Sequence, residues 1–378
     1  MKYLLNHGHL IIDGSIQYVD GSILVEDEKI LEVYPQASKA KIEDDYKVIE
    51  LNGSIVMPGF FDTHCHGTHL INYDKATPEQ MDEASEYNAK SGTTSFIPSI
   101  SYDLSKEELL NQVSVLDKCF GKYARIQGIH LEGPFLSKKH LGVGDAKKFQ
   151  SPDSEYVKDL LKASSRIKQM TIAIEEQGAK DCAKLLKENG VKVMVGHSDA
   201  LMSDLNEDVD GFTHLFNAMR GLHHRDLSLV NAAFTNNYYV EVITDGHHVD
   251  KNVLKLTYSN IDRNKLIAIS DASIAQGLPD GEYTFISNKC IKQGTVFKTM
   301  SGKHAGSVVT INDEIKILKE IGFDYNDILL FSSLNAYRLY GLDNLYGTIT
   351  KGKYSDLVIM DENLDVKNVL VRGKFINE

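Results

Sequence analysis

Apolar and polar residues alternate at both ends of the chain. The first fifty residues contain "HLIIDGSIQYVDGSILVEDEKILEVY", where the two-residue alternation is interrupted by Asp-Gly pairs, a pattern typical of short strands joined by hairpin turns. The closing stretch "GTITKGKYSDLVIMDENLDVKNVLVRGKFINE" has the same character. Because both ends are rich in strands, we expect residues 1–52 and 343–378 to pair into one small β-sandwich domain.

Between residues 53 and 342 the pattern changes to short apolar runs that alternate with helical stretches. Runs such as "VKVMVGHS" and "KLIAISDA" are apolar along most of their length, as in parallel strands that are buried on both faces. Segments such as "TPEQMDEASEYNAKSG" are helical, with an N-cap and first position at Thr77 and Pro78 and a stop at Gly92. Eight such units fit a closed barrel better than an open sheet. The sequence therefore predicts an α/β fold, a (β/α)₈ TIM-type barrel with a small β-sandwich domain formed by both termini.

Composition narrows the possible functions. The net charge of −12 over 378 residues argues against a nucleic-acid partner and leaves no basic tail for a membrane surface. No apolar run reaches the ~20 residues needed to span a bilayer, and the first residues lack the features of a signal peptide. The four cysteines are scattered and form no CxxC pair, which argues against a disulfide framework. We therefore expect a cytoplasmic protein that acts on a small molecule.

Polar side chains gather where the predicted strands end. In a barrel all carboxyl ends of the strands meet at one mouth, where catalytic groups lie in such enzymes. Residues far apart in sequence are therefore expected to converge there. In chain order these residues are His64, His66, Glu132, His197, His214, Asp245, His248 and Asp271.

These residue types favour a metal site. Imidazole nitrogens and carboxylate oxygens suit Zn²⁺, Fe²⁺ and similar ions without any thiolate. Residues two apart on a strand share a face, so His64 and His66 can both face the mouth while Cys65 faces away. A metal lowers the pKa of bound water toward ~7, and Asp271 could accept its proton. Each residue alone has a plain structural explanation, such as a helix N-cap at Asp271; their joint placement favours a hydrolytic site.

Several blocks of sequence resemble a known family. "PGFFDTHCHG" resembles the metal-binding opening of the amidohydrolase superfamily. "GIHLEGPF", "GHSDA", "THLFNAM" followed by "HHR", and "DGHHV" together resemble the N-acetylglucosamine-6-phosphate deacetylases, and the resemblance runs essentially end to end. It implies hydrolysis of the acetamide of an N-acetyl amino sugar 6-phosphate, which releases acetate and the free amine.

The resemblance also implies a role for each residue of the metal site. Asp271 would act first as general base and then as general acid. The main metal would be held by Glu132, His197 and His214. His64 and His66 match the pair that binds a second metal in some members. The site would therefore hold one or two ions, either Zn²⁺ or Fe²⁺.

The same resemblance implies which residues bind the substrate. The backbone amides of Asn217 and Ala218 would meet the substrate phosphate, and His248 would bind the substrate. Arg225 matches a phosphate-binding arginine, whose planar fork can donate two hydrogen bonds at once. In this family that arginine can come from the neighbouring subunit, which suggests a homodimer.

Three departures from the family pattern affect substrate recognition. The loop after "GPF" usually reads Gly-Ala-His or Gly-Ala-Gln but here reads Gly142, Val143, Gly144, Asp145, so a side chain expected to help hold the substrate is missing. The usual "LAGS" begins here with His304, and "HHREPG" is "HHRDLS". Lys138, Lys139 or His140 could substitute. The galactosamine isomer, an unphosphorylated sugar or another N-acyl amine therefore remain alternatives.

Two further hypotheses come from other classes. A dihydroorotase-like cyclic-amide hydrolase would typically have a lysine at the end of the fourth strand, where "KQMTIAIEE" ends in Glu175 and Glu176. Loss of a metal ligand or of the general base would favour a non-catalytic sugar-phosphate binding protein. All of the metal ligands and the base are present in this sequence.

Overall fold

The computed structural model describes residues 2–41 and 45–376 of the chain. Its strands are β1 (Lys2–Ile11), β2 (Gln17–Glu26), β3 (Lys29–Tyr34), β4 (Lys47–Glu50), β5 (Ile55–Pro58), β6 (Phe60–Cys65), β7 (Gly67–Thr68), β8 (Ile71–Asn72), β9 (Thr93–Ile100), β10 (Arg125–Ile126), β11 (Ile129–Glu132), β12 (Ile167–Ile172), β13 (Lys192–Val195), β14 (Gly211–Phe212), β15 (Tyr239–Ile243), β16 (Leu266–Ile269), β17 (Gly281–Phe285), β18 (Asn288–Gln293), β19 (Val296–Thr299), β20 (Leu357–Met360), β21 (Val366–Val371) and β22 (Lys374–Phe375).

The helices lie mostly between the barrel strands. They are α1 (Pro78–Lys90), α2 (Lys106–Leu116), α3 (Ser154–Ala163), α4 (Ala179–Glu188), α5 (Leu229–Thr235), α6 (Lys251–Asn260), α7 (Ile311–Glu320), α8 (Tyr325–Leu329) and α9 (Asn335–Leu339). A π-helical segment, Leu330–Leu334, joins α8 to α9, and short 3₁₀ turns span Ala37–Lys39 and Met202–Asp204.

The barrel is a parallel sheet that closes on itself. Its strands follow the order β6–β9–β11–β12–β13–β14–β15–β16, with the short β10 beside β9, and every pairing along this path is parallel. The ring closes where Cys65 bridges Ala272 and Asp271 N–H donates to His64 O over 2.9 Å. The predicted TIM-type barrel is confirmed, and the closing contact lies within the group of polar strand ends.

Local capping explains where α1 begins and ends. The Thr77 hydroxyl accepts from Gln80 N–H while the Gln80 side chain accepts from Thr77 N–H, which forms a capping box before Pro78. Gly92 has a φ of +90°, and a Cβ there would lie 2.8 Å from the Phe60 ring, so glycine is required at this stop. The predicted bounds of this helix are confirmed.

A separate sheet is built from both ends of the chain. It has eight strands in the order β22–β21–β20–β5–β1–β2–β3, with β4 paired to β1. Arg125 of the barrel ties the sheet down through Asp356 and Glu28, at 2.7 Å each. The terminal β domain is confirmed. The division at residues 52 and 343 stays a prediction, and strand pairing in this sheet continues to Pro58.

Two segments cover the mouth of the barrel. The mouth loop (residues 138–145) follows β11, and the hairpin insert (residues 281–304) contains β17–β19, which pair antiparallel. They contact each other through Asn288 Nδ2, which donates to Val143 O over 3.0 Å, and Lys303 Nζ, which donates to Gly142 O over 3.1 Å. Within residues 2–41 and 45–376, no helix is long and apolar enough to cross a membrane.

Candidate active site

The end of β6 places two imidazoles side by side. The Nε2 atoms of His64 and His66 lie 3.1 Å apart, and both rings are buried. Cys65 between them faces the layer between barrel and helices, where its thiol lies 3.8 Å from Ile97 O. The two-residue periodicity of a strand therefore separates the mouth-facing histidines from a core cysteine.

A second group forms around Glu132 at the end of β11. Its Oε1 lies 3.2 Å from His197 Nε2 and 3.1 Å from His214 Nε2. His197 Nδ1 lies 2.9 Å from His140 O, so this ring donates to the carbonyl through Nδ1 and presents Nε2 to the carboxylate. The three residues come from three different strand ends and are all buried.

The two groups share one centre. Glu132 Oε1 lies 3.5 Å from His64 Nε2, and its Oε2 lies 3.4 Å from His66 Nε2. Asp271 Oδ1 is 3.5 Å from the Nε2 atoms of both His64 and His66. Six side chains from five strand ends therefore converge on a region a few ångströms wide.

This donor set fits a divalent ion. Nitrogen and oxygen donors spaced 3.1–3.5 Å apart match the roughly 3.4 Å between ligand atoms of a tetrahedral zinc site with bonds of about 2.1 Å. Burial lowers the pKa of His64 and His66 to about 4, so both rings are neutral and their lone pairs can ligate. Burial opposes ionisation of Glu132, but His197, His214 and His66 outweigh it and hold its pKa well below the usual range.

Asp271 differs from Glu132 in both access and protonation. Its side chain is 14% exposed, against 5% for Glu132, so Asp271 is the carboxylate that a molecule in the cavity can reach. Burial, followed by repulsion from Glu132 and other nearby carboxylates, raises the pKa of Asp271 well above its usual value. A bound cation would counter that repulsion and favour the ionised form.

Left-handed backbone marks three of these strand ends. His197, His214 and Asp271 have φ of +47°, +34° and +46°, a region that costs free energy for residues other than glycine. The backbone turns sharply two residues after each strand ends, and the side chain is directed into the mouth. Sequence patterning cannot reveal this strain.

Beneath the metal-ligating groups lies a buried carboxyl that the sequence analysis missed. Glu241 of β15 accepts from Thr63 Oγ1 at 2.8 Å and from Gln169 Nε2 at 3.1 Å. Its other oxygen lies 3.8 Å from His64 Nδ1, and neither atom has a hydrogen-bond partner among the described residues. Burial raises the pKa of Glu241 to about 7. The available signal was a glutamate inside the apolar run "YYVEVITDG".

The mouth opens into a cavity of about 540 Å³. Asn217, Ala218 and His248 line it together with the metal-ligating groups. His248 Nδ1 lies 2.7 Å from Asp245 Oδ2, which leaves its Nε2 for the cavity. Asn217 N–H donates to His214 O over 3.0 Å, while Ala218 N–H has no partner among the described residues, so only the second of the two amides is free.

Arg225 stands apart from these residues. It is exposed on the loop after Ala218 and is not among the described residues that line the cavity. Leu222 and Leu227 on the same loop are 61% and 45% exposed. The phosphate-binding arginine that the resemblance implies therefore does not reach the site of its own subunit in this structure.

Comparisons with known proteins agree with this architecture. Residues 55–376 match the family model described as "Amidohydrolase family". An N-acetylgalactosamine-6-phosphate deacetylase from Escherichia coli O157:H7 is 28% identical, with 86% of this chain and 89% of that protein covered. An N-acetylglucosamine-6-phosphate deacetylase from Lysinibacillus sphaericus is 31% identical, with 86% of each covered.

A solved structure resembles the chain along its whole length. A mutant of the Mycobacterium smegmatis N-acetyl-D-glucosamine-6-phosphate deacetylase, in complex with N-acetyl-D-glucosamine-6-phosphate, has a TM-score of 0.91 and 27% identity, with 99% of both chains covered. The resemblance stated from sequence motifs is confirmed. The chain belongs to the amidohydrolase family, whose members are metal-dependent, and is a hydrolytic enzyme.

Proposed function

We propose that this enzyme removes the acetyl group from N-acetylglucosamine 6-phosphate to give glucosamine 6-phosphate and acetate. The observation that carries the proposal is the convergence of Glu132, His197 and His214 with the accessible carboxyl of Asp271 at one end of a cavity of about 540 Å³. A cavity of this size suits a small ligand. The relatives named above support the class of substrate.

Five residues would hold the metal. Glu132, His197 and His214 form the main site, and His64 with His66 gives a second position beside it. A divalent ion held by these residues, Zn²⁺ or Fe²⁺, would polarise the amide carbonyl and would lower the pKa of bound water to about 7. His197 is held by His140 O, so this ligand keeps its orientation before the ion arrives.

Asp271 would move the proton. Its Oδ1 accepts a proton from the water whose oxygen adds to the acetamide carbon. The same oxygen returns that proton to the sugar nitrogen as the carbon–nitrogen bond breaks, so acetate and the free amine leave. Its exposure on the cavity side of His64 and His66 is what allows contact with both the water and the nitrogen.

Residues at the far end of the cavity would bind the sugar phosphate. Asn217 and Ala218 line the cavity, and His248 is held by Asp245. Arg225 would complete this end from a neighbouring copy in a homodimer. The exposed Leu222 and Leu227 beside it supply apolar surface for such an interface.

The galactosamine isomer is the second candidate. The relative named N-acetylgalactosamine-6-phosphate deacetylase favours it. A lysine-bridged cyclic-amide hydrolase is disfavoured, because the fourth strand end carries Glu175 and Glu176 where a lysine is expected, and Glu175 accepts from Ser198 Oγ at 2.6 Å and from Asp199 N–H at 2.5 Å.

The direct test is acetate release by metal-loaded enzyme. The substrates are the 6-phosphates of N-acetylglucosamine and N-acetylgalactosamine and both unphosphorylated sugars, with Asp271→Asn as the inactive control. We expect turnover of the phosphorylated sugars, with N-acetylglucosamine 6-phosphate preferred. No turnover of any sugar would refute the deacetylase proposal, whereas preference for a bare sugar would refute only its phosphate part.

A further inference from the structure

The wall of the cavity formed by the mouth loop lacks the family's loop side chain, and the structure shows that the loop cannot simply regain it. A Cβ on Gly144 would lie 2.5 Å from Tyr102 Cε2 and 3.0 Å from Leu141 O. Tyr102 is buried, and its ring packs edge-on against Phe149 at 5.0 Å. The site that the missing side chain would occupy is therefore closed by an aromatic ring.

Two polar side chains of the mouth loop, Lys139 and His140, contact the same carboxylate. Lys139 Nζ lies 2.7 Å from Asp199 Oδ2, and His140 Nε2 lies 3.0 Å from Asp199 Oδ1. Arg220 contacts the same carboxylate at 2.7 Å. Lys139 and His140 line the cavity, but each is already paired with Asp199.

The hairpin insert brings a different polar residue to this wall. His304 lines the cavity, and its ring centroid lies 4.4 Å from that of His248. Lys303 Nζ donates to Gly142 O over 3.1 Å, which fixes the end of the insert against the mouth loop. The half-buried His304 ring makes no hydrogen bond with any described residue, so its nitrogens are available to a ligand.

We propose that His304 is a specificity-determining residue that hydrogen-bonds a ring hydroxyl of the amino-sugar substrate, beside His248, in place of the missing mouth-loop side chain. This inference rests on the proposed deacetylase function and names how that site recognises its sugar. The leucine common at this position in the family could only pack against the sugar, whereas an imidazole has one nitrogen that donates and one that accepts.

The electrostatics favour a hydroxyl over a phosphate as the group bound. Burial, then the neighbouring His248 and Lys298, lowers the pKa of His304 to about 4. The ring is therefore neutral near pH 7, and it matches a sugar hydroxyl, which also both donates and accepts. A phosphate would gain more from a charged donor than from this neutral ring.

The test combines two variants with deoxy substrates. His304→Leu and His304→Gln are compared with the wild type on the N-acetylglucosamine and N-acetylgalactosamine 6-phosphates and on 3-deoxy and 4-deoxy analogues. Met300→Leu, an exposed change on the same insert, is the matched control. For the better parent substrate, His304→Leu is expected to lower kcat/KM about 10- to 100-fold, His304→Gln to retain a larger share, and Met300→Leu to have no effect.

The decisive comparison is non-additivity. If His304 binds a given hydroxyl, His304→Leu should lower kcat/KM only slightly on the analogue that lacks this hydroxyl, because the bond is already absent there. An equal loss on every analogue, a change below twofold on the parent, or a glutamine variant as poor as the leucine variant would each overturn the inference while the deacetylase function stands. A wild-type enzyme that releases acetate from no sugar would overturn both.

Discussion

The two ends of the cavity are built differently. At the metal end, six side chains leave the ends of barrel strands, are mostly buried, and lie within hydrogen-bond or ion-pair distance of one another. At the substrate end, the wall comes from the mouth loop and the hairpin insert, which are partly exposed and touch through Lys303 and Asn288. One end is fixed by the barrel, whereas the other depends on how two surface segments meet.

This difference separates reaction from specificity. Strand ends are rigid because the barrel hydrogen bonds hold them, so most of the metal-ligating geometry is set by the barrel, and among the described ligands only His197 is also held by the mouth loop, through His140 O. Loops vary in sequence and carry recognition. A protein can therefore keep the hydrolytic site of its family while it exchanges the residues that select the sugar.

The largest effect is expected from Asp271→Asn. The amide cannot accept the water's proton, so kcat should fall by about 10²- to 10⁴-fold, while metal content stays the same because the main ligands are intact. Acetate release and metal analysis of the same sample measure both. Asp181→Asn, on the outer helix α4, is the control and should be fully active. Undiminished turnover in Asp271→Asn would remove Asp271 from the mechanism.

Arg225→Met tests whether the substrate end is completed by a second copy. Loss of a charge-assisted hydrogen bond should lower kcat/KM for the phosphorylated sugar about 10- to 100-fold and leave any residual turnover of the bare sugar unchanged. When Arg225→Met protein is mixed with Asp271→Asn protein under conditions of subunit exchange, the mixture should regain activity. One site of each mixed dimer would then combine an intact Asp271 with the partner's intact arginine.

Failure of the mixture to regain activity, although mixed dimers form, would place the arginine in its own subunit's site. An equal loss on phosphorylated and bare sugars would show that Arg225 does not act through the phosphate.

Glu241→Gln probes the support of the metal end. Its free oxygen faces His64 Nδ1 at 3.8 Å, and carboxylates in this position orient metal-binding imidazoles. We expect binding of a second ion to weaken about 10-fold, while the ion on Glu132, His197 and His214 stays. Metal titration followed by stoichiometry measures this. Glu314→Gln is the matched control, because Glu314 is also fully buried with an unpaired oxygen. Equal weakening in both variants would indicate a general loss of packing.

The difference between barrel strand ends and surface segments also explains which parts of the site the sequence could predict. Periodic apolar runs are sufficient for the barrel, and because its topology gathers strand ends, His64, Glu132, His214 and Asp271 could be placed together without coordinates. No comparable rule predicts which loops contact each other over long distances in the sequence. Neither the approach of His304 to His248 nor the engagement of His140 by Asp199 has a local signal in the sequence.

Gly144→His, which restores a side chain of the family pattern, should have the smallest effect and should not improve the enzyme. The new Cβ meets Tyr102 at 2.5 Å, and overpacking of this kind costs about 1–3 kcal/mol, so the melting temperature should fall by a few degrees with a modest rise in KM. Gly281→His is the control, since a Cβ there meets nothing closer than 3.8 Å. A Gly144→His enzyme that is as stable as the wild type and has a higher kcat/KM would show that the loop can accept the family's side chain. His304 would then be an addition to that recognition rather than its replacement.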